Sequence, residues 1–136
     1  MADTQHPAYK MEKEELLLQL LKKEHGYYKS IQDIATKENE ILNTNQPISD
    51  LRSLLKKKKI LLSCISEIEV AMAPLKKYWQ GKSDHSDHTS QGIREELNSL
   101  GKLLKNILQL DLLSQKTMEN HMLFLKEKNK ALSEQS

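Results

Sequence analysis

The sequence has few of the residues that interrupt long helices. Its 136 residues include four glycines and three prolines, and aromatic side chains make up only 4%. Because glycine and proline interrupt helices and strands more strongly than other residues do, their scarcity permits long uninterrupted elements. The single cysteine, Cys64, excludes an internal disulfide. A chain of this length suits one domain.

The sequence also lacks a strong net charge. The formal net charge is +2, which gives no bulk field for recruiting nucleic acid. The charge is uneven along the chain, with net values of −2 over residues 1–48, +5 over residues 49–82 and −1 over residues 83–136. The basic middle segment can therefore pack between two mildly acidic ones. A basic face for an acidic partner is the alternative interpretation.

Long apolar runs are missing as well. No stretch approaches the ~18 apolar residues that a membrane span needs, and residues 1–9 lack the apolar core of a signal peptide. We therefore expect a cytoplasmic protein without membrane insertion. Residues 1–10 are predicted to be a flexible tail, and residues 11–136 a single helical domain.

Three amphipathic segments are predicted to be helices, at about 11–42, 49–80 and 91–132, with a polar linker at 82–90. Apolar residues of the first recur at spacings of three, four and seven, which indicates one face of a helix. The second carries two apolar series of period seven, interrupted at Lys58, which predicts a heptad seam.

The ends of these segments carry capping residues. Ser49 is the expected cap of the second helix, and Thr89 or Ser90 that of the third. Gly81 suits the left-handed position after a helix end. Short polar connections favour antiparallel neighbours. The predicted fold is all-α, an elongated antiparallel three-helix bundle with coiled-coil packing.

The third helix has a wider apolar arc than one seam needs. At ~100° per residue, one band is the ordinary seam toward the other helices: Ile93, Leu97, Leu100, Leu104, Ile107, Leu108, Met118, Met122, Leu125 and Leu132. A second band is rotated from it by roughly 100°: Leu103, Leu110, Leu113, Thr117 and Phe124. Two explanations are open. The third helix is central and contacts both others, or part of its arc binds an amphipathic helix of a partner.

The order of segments resembles the FlgN-type flagellar export chaperones over residues 12–132. Residues 14–25 are similar to the family's opening helix of leucine pairs ending in Glu-His, residues 50–62 to its second helix, and residues 110–125 to its closing amphipathic helix. The chain departs from the family at Asp111, Ser114 and Met118, near which family members often carry asparagine.

The resemblance implies a cytosolic chaperone for type III flagellar export. Such proteins bind the carboxy-terminal helical segment of hook–filament junction proteins, prevent premature assembly and deliver the client to the export apparatus. The carboxy-terminal part of the chaperone usually carries the binding. The expected partner-binding residues are Leu103, Leu110, Leu113, Thr117, Met118, Met122, Phe124 and Leu125. A monomer or weak dimer is expected.

Other candidate chemistry is weaker. The linker pairs Asp84-His85 and Asp87-His88 contain metal-ligand types, but a soluble linker is the favoured interpretation. Residues 56–59 are four lysines that point around the whole helix circumference, which favours a solvated face over a nucleic-acid site. No phosphate loop or nucleophile motif is present, so we expect no enzyme, no metal and no cofactor. The alternative function is a structural, homo-oligomeric coiled coil or adaptor.

Overall fold

Three long helices account for nearly all of the described chain. The computed structural model describes residues 2–44 and 46–135, with α1 at Ala2–Asn43, α2 at Ile48–Gln80 and α3 at His88–Gln135. No strand occurs within these ranges. The helices contain 42, 33 and 48 residues, or about 63, 50 and 72 Å at ~1.5 Å per residue. The predicted all-α three-helix bundle is confirmed.

The first helix begins earlier than the sequence indicated. α1 starts at Ala2 rather than near residue 11, while the flexibility expected of residues 1–10 stays a prediction. The strongest helix breaker in this segment is Pro7, which lies in the early turns of α1. A proline disturbs a helix least near its amino-terminal end, where few amides have intrahelical partners. The rest of the segment therefore continues the helix.

The other helix ends use different residues from those predicted. Asp87 caps α3, because its Oδ1 accepts a hydrogen bond from the Ser90 amide at 2.7 Å. Pro47 takes the cap position of α2, which places Ser49 inside the first turn. Gly81 ends α2 in a right-handed conformation (φ −76°, ψ −8°), and its amide donates to the Lys77 carbonyl. The left-handed conformation expected there is absent.

The helix at the centre of the bundle is α1. It packs against both α2 and α3, whereas no Cα atom of α2 lies within 8 Å of one in α3 among the described residues. A side chain at Gly92 would bring its Cβ to 3.2 Å from Leu18 Cδ2, so this glycine permits the close approach of α3 to α1. The explanation that α3 is central and needs two buried faces is therefore wrong.

The core follows α1 from Leu17 to Ile41. Trp79 is buried at the end near the α2–α3 connection, where its Nε1 donates to Ser90 Oγ at 3.0 Å. Three buried clusters succeed one another along the bundle: Leu17, Leu21, Ile68, Met72, Trp79 and Ile93; then Ile31, Ile65, Leu103 and Ile107; then Ile34, Ile41 and Leu54.

Lys58 joins all three helices inside the bundle. Its Nζ lies 3.3 Å from Asp111 Oδ1 on α3 and 3.8 Å from Glu38 Oε1 on α1. The lysine occupies the position where the α2 heptad seam lacks an apolar residue. Removing one partner would leave a poorly solvated charge, so the three groups stabilise one relative register of the helices.

Glu24 is a fully buried carboxyl on α1. Burial, together with the neighbouring Glu69 carboxylate on α2, raises the pKa of Glu24 from 4.5 to about 8. The positive charge of Lys76 lowers the pKa of Glu24 in the opposite direction. The Nζ atom of Lys76 pairs with Glu69 Oε2 at 3.3 Å. The folded protein therefore binds the Glu24 proton more tightly than the unfolded chain does.

This raised pKa predicts a pH-dependent stability. A group with a higher pKa in the folded state contributes stability fully below pH 4.5 and loses it as pH rises through about 8. We expect the free energy of unfolding to fall over this window, and Glu24→Gln to flatten the fall. Urea titrations at several pH values measure it. Glu15→Gln, at an exposed position of the same helix, is the control. An unchanged pH profile in Glu24→Gln would contradict the assignment.

Candidate partner-binding surface

The carboxy-terminal part of α3 extends past the other two helices. Lys58 of α2 lies beside Asp111 of α3, and α2 begins ten residues before Lys58, at Ile48. Since α2 and α3 run antiparallel, the start of α2 is level with about His121. α1 ends at the same level, because Leu42 lines a cavity together with Met118 and Met122. Residues 123–135 therefore project by about 20 Å.

In the described part of the chain, this projecting segment and the turn before it are open to solvent. Every residue from 118 to 134 is exposed. Exposed large apolar side chains are concentrated on α3: Leu104, Leu108, Leu112, Leu113, Met118, Met122, Leu123, Phe124, Leu125 and Leu132. Contiguous apolar surface of this kind marks a site of protein interaction more often than an ordinary surface.

The eight residues predicted to bind a partner do not share one environment. Leu103 is 7% exposed and packs in the core with Ile31 and Ile65, so its assignment to an open binding surface is wrong. Conversely, Leu104 and Leu108, predicted to be in the seam, are exposed. Ile93, Leu100 and Ile107 of the predicted seam are buried, but Leu103 replaces Leu104 and Leu108 in the buried stripe, because α3 packs on α1.

An open groove lies at the end of the bundle where α1 stops and α2 starts. Its volume is about 380 Å³, and most of its surface is apolar. It is lined by Ile41, Leu42, Thr44, Gln46, Leu51, Met118, His121 and Met122. Three helices thus contribute walls, and the floor continues onto the projecting part of α3. We call Met118, Met122 and Leu125 the end face.

A second cleft lies along the side of α3. Leu110 and Leu113 face polar α1 residues across a space of about 400 Å³, including Thr36, Asn39 and Asn43. Thr117 lies beside it, and its hydroxyl donates to the Leu113 carbonyl at 3.0 Å. This intrahelical bond satisfies the hydroxyl and leaves the Thr117 methyl for an apolar contact.

The predicted residues divide between two sides of α3. Leu113 and Phe124 are eleven positions apart, which at ~100° per residue places them within ~20° of each other. They are rotated by more than ~90° from the end face. We call Leu113 and Phe124 the side face. One client helix in the end groove would therefore contact the end face and leave the side face largely free.

Sequence reasoning missed the α1 and α2 residues of the end groove. Ile41, Leu42 and Leu51 were recognised as apolar helix positions, but nothing in their spacing showed that they meet Met118. The unequal lengths of the segments were the available signal. A third segment longer than its neighbours must leave part of its seam uncovered.

The Asp-His linker has structural contacts instead of an open ligand arrangement. His85 stacks on Trp79, with ring centroids 4.5 Å apart, and its Nε2 donates to the Trp79 carbonyl at 2.7 Å. Asp84 accepts hydrogen bonds from Ser86. Hydrogen bonding to Lys82, at 2.9 Å, and to the Ser90 amide lowers the pKa of Asp87 to about 2. Among the described residues, no cluster of three metal-ligand side chains occurs.

Comparisons with known proteins identify no relative. No family model matches the chain, and neither the curated proteins nor the solved structures contain a match. Within the described ranges, no helix combines the length and the apolar character that crossing a membrane requires. We therefore base the function on the geometry of the end groove and of the projecting helix.

Ile107 and Leu125 provide a direct test of the projecting segment. They are eighteen residues apart, or five full turns of α3, and so point in the same direction. Ile107 is buried against α1 and α2, whereas Leu125 is exposed. We expect Ile107→Ala to lower the free energy of unfolding by about 2 kcal/mol or more, and Leu125→Ala to change it by less than about 0.5 kcal/mol.

Chemical denaturation of both variants measures the difference. Circular dichroism is the control that each variant keeps its helix content. A large loss of stability in Leu125→Ala would mean that residues beyond 122 pack on the bundle in solution.

Proposed function

We propose that this chain is a cytosolic, non-enzymatic export chaperone of the FlgN type. Its client is the carboxy-terminal helical segment of a hook–filament junction protein. By covering the apolar face of that segment, the chaperone prevents premature assembly and presents the client to the type III export apparatus.

The observation that carries this proposal is the uncovered apolar seam of α3. Met118 and Met122 continue the direction of the buried seam residues at the level where α1 ends and α2 begins, and Leu125 continues it beyond that level. A client helix laid there would replace the missing neighbours and bury the same stripe. Anchors at i, i+4 and i+7 fit the way in which an amphipathic helix binds a groove.

The chemistry of the end face also suits a client that arrives unfolded. Met118 and Met122 have flexible thioether side chains that can repack around different apolar residues. A segment that folds on binding loses conformational entropy, which must be offset by the apolar area that it buries. The sequence resemblance to the flagellar chaperones supplies the identity of the client.

Paired variants of the two faces test the proposal. The probe is a peptide of the carboxy-terminal segment of a junction protein, labelled for fluorescence anisotropy. We expect Met122→Ser with Leu125→Ser to weaken binding by about tenfold or more, because both anchors lose apolar contact. Leu113→Ser with Phe124→Ser should have a smaller effect, since these residues lie on the side face.

Val70→Ser is the matched control. Val70 is 75% exposed on α2, away from the end groove, so its substitution should leave the affinity unchanged. Circular dichroism should remain helical for all variants. Undiminished binding by both double variants would contradict the assignment of the binding site. Absence of binding by the wild-type chain would contradict the proposed identity of the client.

A structural homo-oligomer is the second candidate, and the pattern of the projecting segment favours it. Met118, Met122, Leu125, Asn129 and Leu132 are spaced four, three, four and three residues apart, as in a coiled-coil seam. Sedimentation velocity over a range of concentrations separates the candidates. A monomer supports the chaperone. A stable dimer that dissociates on Leu125→Ser with Leu132→Ser supports self-assembly.

A further inference from the structure

A second uncovered apolar surface lies between α2 and α3, and it starts at Leu55, one turn of α2 after Leu51 of the end groove. The two helices both pack on α1 but keep their backbones apart, with no Cα pair within 8 Å among the described residues. Leu55 and Leu62 of α2 are exposed, and so are Leu104 and Leu108 of α3. Four exposed leucines in two adjacent helices require an explanation that single exposed leucines do not.

The four leucines lie on the facing flanks of the two helices. Leu62 is four residues after Lys58, and Leu108 is three residues before Asp111. Since Lys58 pairs with Asp111 and the helices are antiparallel, Leu62 and Leu108 lie at the same level. Ile60, by contrast, lines the cavity between α1 and α2 on the other side of α2. The leucines therefore line a groove between α2 and α3, which we call the α2–α3 groove.

The rim of the α2–α3 groove is basic. α2 has no acidic residue from 51 to 66, and α3 has none from 97 to 110. Lys57 lines the α1–α2 cavity and Lys58 is partly buried; the other basic side chains in these stretches are exposed: Arg52, Lys56, Lys59, Lys102 and Lys105. Beyond these stretches, Asp111 and Glu69 are already paired with Lys58 and Lys76. An occupant therefore meets an apolar floor and an uncompensated positive rim.

We propose that the α2–α3 groove binds an acidic amphipathic helix of a partner protein, which packs there as a fourth helix. Such a helix contacts α2 and α3 and lies diagonally opposite α1, as in a four-helix bundle. Its leucine-type seam covers Leu55, Leu62, Leu104 and Leu108. Its flanking Glu and Asp side chains pair with Lys59 and Lys105.

Charge and shape favour this occupant over two others. A second copy of the chain would bring the same basic rim against the first, and like charges facing each other oppose association. A membrane surface fits a helix whose apolar face projects toward the lipid, whereas these leucines lie between two helices. This surface differs in position and in charge from the end groove of the proposed chaperone, so either can fail without the other.

Two synthetic helical peptides test the proposal. Each has about three heptads with leucine at the seam positions, and they differ only in glutamate or lysine at the flanking positions. Titration calorimetry measures their affinity for the full chain. We expect the glutamate peptide to bind about tenfold or more tightly than the lysine peptide, with the difference shrinking at high salt.

Variants of the groove assign the site. Leu62→Gln with Leu108→Gln should weaken the glutamate peptide about tenfold or more. Lys59→Glu with Lys105→Glu should reverse the preference between the two peptides. The matched controls are Ile60→Gln and Lys57→Glu, because both residues line the α1–α2 cavity on the opposite side of α2. These controls, and Leu113→Ser with Phe124→Ser on the side face, should leave the affinity unchanged.

Three results would overturn the proposal. The first is equal binding of the two peptides, and the second is undiminished binding by the Leu62 and Leu108 variant. The third is evidence that a second copy of the chain or a membrane, instead of an acidic helix, binds in the α2–α3 groove. A dimer that Leu62→Gln with Leu108→Gln dissociates would assign the groove to a second copy. Binding to phosphatidylserine vesicles, without binding to the glutamate peptide, would assign it to a membrane.

Discussion

The packing of α2 and α3 on opposite flanks of α1 is the constraint on which the rest of the structure depends. Because α1 is shared, its buried positions extend along the whole bundle, and Gly92 lets α3 approach it closely. α2 and α3 then meet through side chains, such as Lys58 with Asp111 and Trp79 with Ser90, and their backbones stay apart. An arrangement with one central helix leaves an open side, and the exposed leucines and basic rim of the α2–α3 groove lie on it.

Register determines where the bundle stops covering α3. The ion pairs of Lys58 with Glu38 and Asp111 favour one alignment of the three helices. That alignment places the start of α2 and the end of α1 at the same level, near Met118 and Met122. The remaining turns of α3 keep the same apolar direction but have no neighbour. Two incompletely covered surfaces thus follow from one set of contacts, one at the end of the bundle and one along its side.

Much of the fold and part of the site follow from local patterns. Periodic leucine and isoleucine predict three helices, because a spacing of three and four residues defines one apolar face of a helix. This holds regardless of which element packs against that face. The same patterns cannot separate Leu103 from Leu104. Both are leucines, one residue rotates the helix by ~100°, and only the position of α1 decides which one is buried. Leu113 and Phe124 of the second band are exposed, and so are Met118, Met122 and Leu125, which the pattern placed in the seam.

The sequence by itself determined the helical class, the number of helices and the excess of apolar surface on the third. These properties depend on composition and on periods of a few residues, which are local. Tertiary structure alone decided that α1 is central, that Asp87 rather than Thr89 or Ser90 caps α3, and that Glu24 is buried beside Glu69. It also decided that Leu42 and Leu51 face Met118 across one groove. Each depends on the relative rotation and register of whole helices, which are set by many weak contacts between residues far apart in the chain.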